Sequence, residues 1–125
     1  MTEPRTVLIR TVDHGEITIP EPRYCTGHAW QPDPYLADIT HNSVPVKASA
    51  VTGHHGELDL MVARISHAPY AVLQPEPHPV VSVAMDVHHD FAVEDVAQVA
   101  RGLRLAARRL EALAVEALRL RGDRS

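Results

Sequence analysis

The sequence predicts an α+β fold in which a small antiparallel sheet of about five strands packs on one long C-terminal helix. Three observations carry that reading. Two pairs of alternating, β-branched stretches fold back over glycine-containing turns, an apolar strand lies near residue 80, and the apolar period turns helical after residue 92. At 125 residues and 45% apolar content, the chain is read as a single domain, residues 1–125, able to bury one modest core.

Residues 5–12, RTVLIRTV, and 15–19, GEITI, alternate on either side of Asp13-His14-Gly15 and predict an opening hairpin. Between Pro20 and about Thr40, the residues Pro20, Pro22, Pro32 and Pro34 remove backbone donors and bias their predecessors toward extended geometry. This predicts a long loop over residues 20–42, of a length uncommon in small domains without a purpose or a staple.

A second hairpin is predicted from residues 44–52, where Val44, Val46, Ala48 and Ala50 share a face, through the Gly53-His54-His55-Gly56 turn into residues 57–66. The return strand places Leu58, Leu60, Val62 and Arg64 on one face and Asp59, Met61, Ala63 and Ile65 on the other. In residues 80–87, VVSVAMDV, the positions Val81, Val83, Met85 and Val87 align, and their apolar density predicts a central strand.

The helix is predicted over residues 93–120. Its stripe runs Val96, Ala100, Leu103, Ala107, Leu110, Ala114 and Ala117, widened by Val99, Ala106, Leu113 and Leu120. Glu94 and Asp95 lie where acids meet the positive end of the dipole, and Arg119 and Arg121 lie at the other end. Asp90 is the expected N-cap, ahead of Ala92. About 28 helical residues span roughly 42 Å, more than five strands need. The far end, with Leu105 and Leu118 off the main stripe, is therefore a candidate surface for a homodimer. The closing Gly-Asp-Arg-Ser is expected to be a tail.

A formal charge of −4 gives no global attraction to nucleic acid or anionic lipid. The basic residues concentrate instead in the helix, which suits pairing with the acidic remainder or with another protein. Arg101, Arg104 and Arg108 form a row there that reads as a solvated face. No run of apolar residues is long enough to span a membrane, no leader is evident, and one cysteine cannot form an internal disulfide, so a cytoplasmic location is expected.

The chemistry concentrates in the proline-rich loop. Cys25-Thr26-Gly27-His28 has the two-residue gap that points two donors at one ion, with Gly27 able to supply the tight backbone, and His41 follows at the entry to the next strand. Cysteine with two histidines suits Zn(II) before Mg(II) or Ca(II). For a fourth ligand, His54, His55, His14, Asp33 and Asp38 are all admissible. The same residues have plainer readings, with Cys25 a small buried side chain and His28 a hydrogen-bonding one, or Cys25 a nucleophile with His28 or His41 as its base. His88-His89-Asp90 is a lesser candidate site, and its plain reading is a polar strand end. Phosphate-loop, dinucleotide, nucleophile-elbow and HExxH motifs are absent.

From Tyr24-Cys25-Thr26-Gly27-His28, through His41-Asn42-Ser43, to the Ala/Leu-rich helix, the chain resembles a family of small uncharacterised actinobacterial proteins, a domain of unknown function. The likeness covers roughly residues 20–118 and implies that Cys25, His28 and His41 act together. It implies no reaction. The gap between Cys25 and His28 is shorter than the family's usual one, and the helix opens Ala-Val-Glu-Asp where a Thr-Pro-like cap is usual.

The leading expectation is a small binding or interaction module, rather than an enzyme, in which Zn(II) pins the loop. One alternative is a metal-dependent hydrolase with the same three ligands, a bound water and Asp38 or a nearby histidine as base. Another is a metal-free protein that dimerises through the helix.

Overall fold

A computed structural model describes residues 5–85 and 88–122, so Val87 and the tail residues 123–125 lie outside the described residues. The fold is α+β, with antiparallel strand pairs and one long C-terminal helix. Its strands divide between two sheets, and its described residues between two compact units: 5–44 with 65–80, and 45–64 with 81–85 and 88–122.

In the first unit, β1 (Arg5–Thr11) pairs antiparallel with β2 (Gly15–Glu21) along its whole length, from Arg5 opposite Glu21 to Thr11 opposite Gly15. Alternation sends Val7, Ile9 and Thr11, and Ile17, Ile19 and Glu21, to the inner face. Ile9, Ile19 and the fully buried Ile39 form the core, with Val7, Ile17, Leu36 and Tyr70 packed against it. β2 therefore runs two residues beyond the expected Ile19 and carries Glu21 inward. Pro20 is tolerated because a two-stranded ribbon has a free edge for a residue without an N–H.

The loop after β2 is tied down by hydrogen bonds. Thr26 N–H donates to the Asn42 carbonyl (2.9 Å), Val12 N–H to Pro34 (3.0 Å), and the Gln31 amide binds both the Asp38 carbonyl and the Thr40 N–H. Ile39 supplies an apolar anchor for the loop, fully buried beside Ile9 and Ile19. A two-residue strand, β3 (His41–Asn42), then pairs with the end of β5 (Gly56–His67), His41 opposite His67. Ser43 fixes that pairing, its N–H and hydroxyl both bonded to the backbone of Ile65.

In the second unit, β4 (Val46–Thr52) pairs with β5 and lies against the helix α1 (Val96–Gly122). Ala48 faces Met61 and Ser49 faces Asp59, so Leu60 is the extra residue of a β-bulge. The bulge switches the inward face of β5. Leu60 and Met61 are both buried, and Met61, Ala63, Ile65 and His67 continue inward, which corrects the single unbroken alternation expected for this strand. The core is Ala48, Met61, Ala63 and Ala106, with Leu105, Leu110 and Leu113 packed on it.

The two hairpins turn in the same way. In Thr11-Val12-Asp13-His14-Gly15 and Thr52-Gly53-His54-His55-Gly56, the threonine hydroxyl accepts the N–H three residues on, at 2.9 and 3.0 Å. Each closing glycine sits at a φ near +64°, the left-handed position that ends a three-residue hairpin loop (63° and 65°).

Three expectations are corrected here. β6 (Val80–Ala84) pairs with β5, but four of its five residues are exposed, so it is not a buried central strand. A single 3-10 turn (Val93–Asp95) precedes α1, and its cap is Ala92, whose backbone is extended and whose side chain makes no capping bond. Asp90 instead accepts a bond from His55 at its carbonyl. The buried face of α1 is Val99, Gly102, Ala106 and Ala117, while Val96 and Leu103 of the expected stripe are exposed. Leu105 belongs to the core and Leu118 faces solvent. No helix among the described residues is long and apolar enough to cross a membrane.

Asp95 is buried and ties the helix start to the β4–β5 turn, accepting from Gly53 N–H (3.2 Å) and lying 2.8 Å from His54 Nδ1. The His54 contact and the Gly53 N–H hold its carboxyl below the ordinary 3.8. A carboxylate whose pKa is lowered by folding stabilises above the unfolded pKa, and that contribution disappears as pH falls through the folded value. Asp95→Asn is therefore expected to lower the urea midpoint at pH 7 and to converge on wild type in acid. A gap that persists unchanged at the lowest pH where the protein folds would refute the electrostatic account.

Candidate metal centre

The inward turn of Glu21 at the end of β2 begins the site. A tight turn follows, closed by Cys25 N–H on the Pro22 carbonyl (3.0 Å), and Gly27 takes a φ of 108°, as the expected knuckle requires. That geometry brings Cys25 and His28 back toward Glu21. His41 arrives from β3 because its neighbour Asn42 is bonded to Thr26. The candidate donor atoms of Glu21, Cys25, His28 and His41 all lie within 4.8 Å of one another.

The contacts converge on one carboxylate oxygen. His28 Nε2 lies 2.9 Å from Glu21 Oε1 and 3.6 Å from Cys25 Sγ. His41 Nδ1 lies 2.7 Å from the same Oε1, yet out of line for a hydrogen bond. His28 Nδ1 is also buried without a partner among the described residues. Buried nitrogens left without good hydrogen bonds each cost about 1–3 kcal/mol. Four donor atoms gathered this closely, one of them an imidazole nitrogen in contact but without a hydrogen bond, suit a cation between them.

Electrostatics agree with tight mutual influence. Burial raises Glu21, but contacts with His28 and Cys25 and the charges of the two imidazoles outweigh it and hold the carboxyl below its usual range. Burial pushes the Cys25 thiol up, with the Glu21 carboxylate adding to the effect. Burial pushes His41 down, against the pull of Glu21.

This arrangement argues against Cys25 as a nucleophile activated by His28. A relay needs one imidazole nitrogen on the thiol and the other on the acid. Here both contacts fall on Nε2, and the thiol is raised rather than lowered.

Cys25, His28 and His41 thus come together as the sequence suggested, and Glu21 joins them. None of the other fourth-ligand candidates does. His14 lies beside Asp13 in the first turn, and His54 beside Asp95 in the second. His55 bonds the Asp90 carbonyl, Asp33 is an exposed loop residue, and Asp38 is the exposed end of a 3-10 turn, Leu36–Asp38. His88 and His89 are exposed, with the His89 ring 5.2 Å from that of His55. Arg101, Arg104 and Arg108 are exposed as well. Glu21 had a signal that spacing could have shown: an acid four residues before the cysteine, in phase with Ile17 and Ile19. Behind His41 stands the buried His67, whose Nε2 is 2.6 Å from the Glu76 carbonyl.

No curated protein and no solved structure matches the chain. One protein-family model does, over residues 6–119, a span that includes both hairpins, the four clustered residues and nearly all of α1. The chain belongs to the family described as a domain of unknown function, DUF6907.

Proposed function

We propose that this protein is a small metal-binding module in which Glu21, Cys25, His28 and His41 hold one Zn(II) ion and so fix the 22–40 loop on the β1–β2 hairpin. The observation that supports the reading is the approach of four donor atoms to within 4.8 Å, with two imidazole nitrogens facing one carboxylate oxygen. Tetrahedral zinc, with bonds of about 2.0–2.3 Å, holds its ligand atoms roughly 3.3–3.7 Å apart. Small side-chain shifts would open the contacts of 2.7 and 2.9 Å to that spacing. The thiolate and imidazoles favour zinc over hard cations, and the ion would give His41 Nδ1, now buried without a hydrogen bond, a partner.

Elemental analysis of protein purified without added metal is expected to give about one zinc per chain. Cys25→Ser should lose it, and Glu21→Ala should weaken binding by about tenfold or more, while His14→Ala and His54→Ala retain it. A helical circular dichroism spectrum shows that each variant is folded. One zinc per chain retained in Cys25→Ser would sink the assignment.

A further inference from the structure

Glu21, Cys25 and His41 are buried and His28 is half-buried, yet the cluster is not sealed. A cleft of about 260 Å³ reaches its Glu21 and Cys25 side, lined also by Arg5, Thr26 and Gly27. Gly27 leaves it wide, since a Cβ there would meet nothing within 4 Å. Arg5 stands directly opposite Glu21 in the β1–β2 ladder. Its Nη2 donates to the carbonyls of Pro22 (3.0 Å) and Cys25 (3.1 Å). It forms no ion pair with a carboxylate among the described residues, and its remaining N–H groups are available to another acceptor.

Charge then decides the ligand class. A divalent ion held by one thiolate and one carboxylate is neutral, and Arg5 leaves the filled site at +1. Such a site attracts a monoanion only when metal is present. In the apo site, Glu21 and Arg5 offset each other. A phosphate, which carries about −1.5 to −2 at neutral pH, fits this balance less well than a carboxylate, and the volume suits a molecule of few heavy atoms. Glu21 is the hard donor in an otherwise softer set, and it lines the cleft, so it is the ligand an incoming carboxylate would displace or join.

We infer that the cleft binds a small monocarboxylate that bridges Arg5 and the metal at the Glu21 side of the centre. This rests on the metal reading above. In it, Arg5 is the anion anchor.

The test uses protein loaded with Co(II), whose visible absorption reports its ligands, titrated with sodium acetate and separately with inorganic phosphate. Acetate is expected to shift the absorption saturably. Arg5→Met is expected to weaken that response by about tenfold, as loss of a charge-assisted pair would. The variant should still bind one cobalt per chain. A spectrum indifferent to acetate at full cobalt occupancy overturns the inference and leaves the metal centre standing. A response to phosphate alone overturns the ligand class. Failure to bind cobalt or zinc at all removes the metal reading and this inference with it.

Discussion

Chelation with EDTA is expected to lower the thermal midpoint reported by Trp30 fluorescence by about 15 °C or more. A ligand that binds only the folded state stabilises it by RT ln(1 + [L]/Kd), about 4 kcal/mol when free metal exceeds Kd a thousandfold. In a unit of this size each kcal/mol moves the midpoint by about 4–8 °C. Trp30 is the chain's only tryptophan, and its indole N–H donates to the Gly27 carbonyl at 3.1 Å, within the knuckle itself. Its emission should therefore shift to the red as metal leaves. Returning one equivalent of Zn(II) should restore both readings. Equal midpoints with and without chelator would mean that Ile39 and the loop's own hydrogen bonds suffice, and that the four donors make a polar cluster without a cation.

That outcome is open to measurement because the loop has two separate anchors, and only one of them was legible in the sequence. The Cys25–His28 gap and the later His41 are visible as residue types at a spacing, and the fold does bring them together. Glu21 is hidden because Pro20 reads as the end of the strand. The ladder continues past Pro20, and the alternation that buries Ile17 and Ile19 carries Glu21 to the same face. His54, His55 and His14 were equally good donors by type. What separates them from Glu21 is tertiary: they sit in turns, two of them paired with nearby acids, and no periodicity reports that.

The fold divides in the same manner. Hairpins, turns and the long helix follow from local pattern, and threonine-anchored turns with a left-handed glycine make both hairpins specific. The bulge at Leu60 could not be read, because an extra residue leaves the apolar pattern looking regular on both faces: Leu58 and Leu60 before it, Met61, Ala63 and Ile65 after it. β6 misled by composition, since apolar residues such as Val83 and Met85 are exposed in the described chain. The helix face departs from the apolar stripe for a different reason. A periodicity argument weights leucine, whereas close packing on β4 selects the smallest residues, so Gly102 and Ala106 rather than Leu103 face the sheet.

Gly102→Ala is accordingly expected to destabilise the protein even though alanine is the better helix former. A Cβ at this position would lie 2.6 Å from Leu60 Cδ1, 2.9 Å from the Ser49 carbonyl oxygen and 3.3 Å from Ala50 Cβ. The leucine is almost wholly buried, which limits its room to swing away, and the carbonyl is backbone at the bulge, where retreat would disturb the β4–β5 ladder. Replacing glycine with alanine inside a helix contributes about 1 kcal/mol of stability. Forcing a methyl into a filled core costs about 1–3 kcal/mol, and two contacts this short place the cost at the upper end. The net expectation is a loss of about 1–2 kcal/mol for alanine and a larger one for Gly102→Val, read as lowered urea midpoints at unchanged slope. Ala107→Gly, on the exposed face of the same helix, supplies the control, losing only the propensity difference. If Gly102→Ala proved as stable as wild type, α1 would have to stand further from β4, and the packing of small residues described here would not be what sets the helix face.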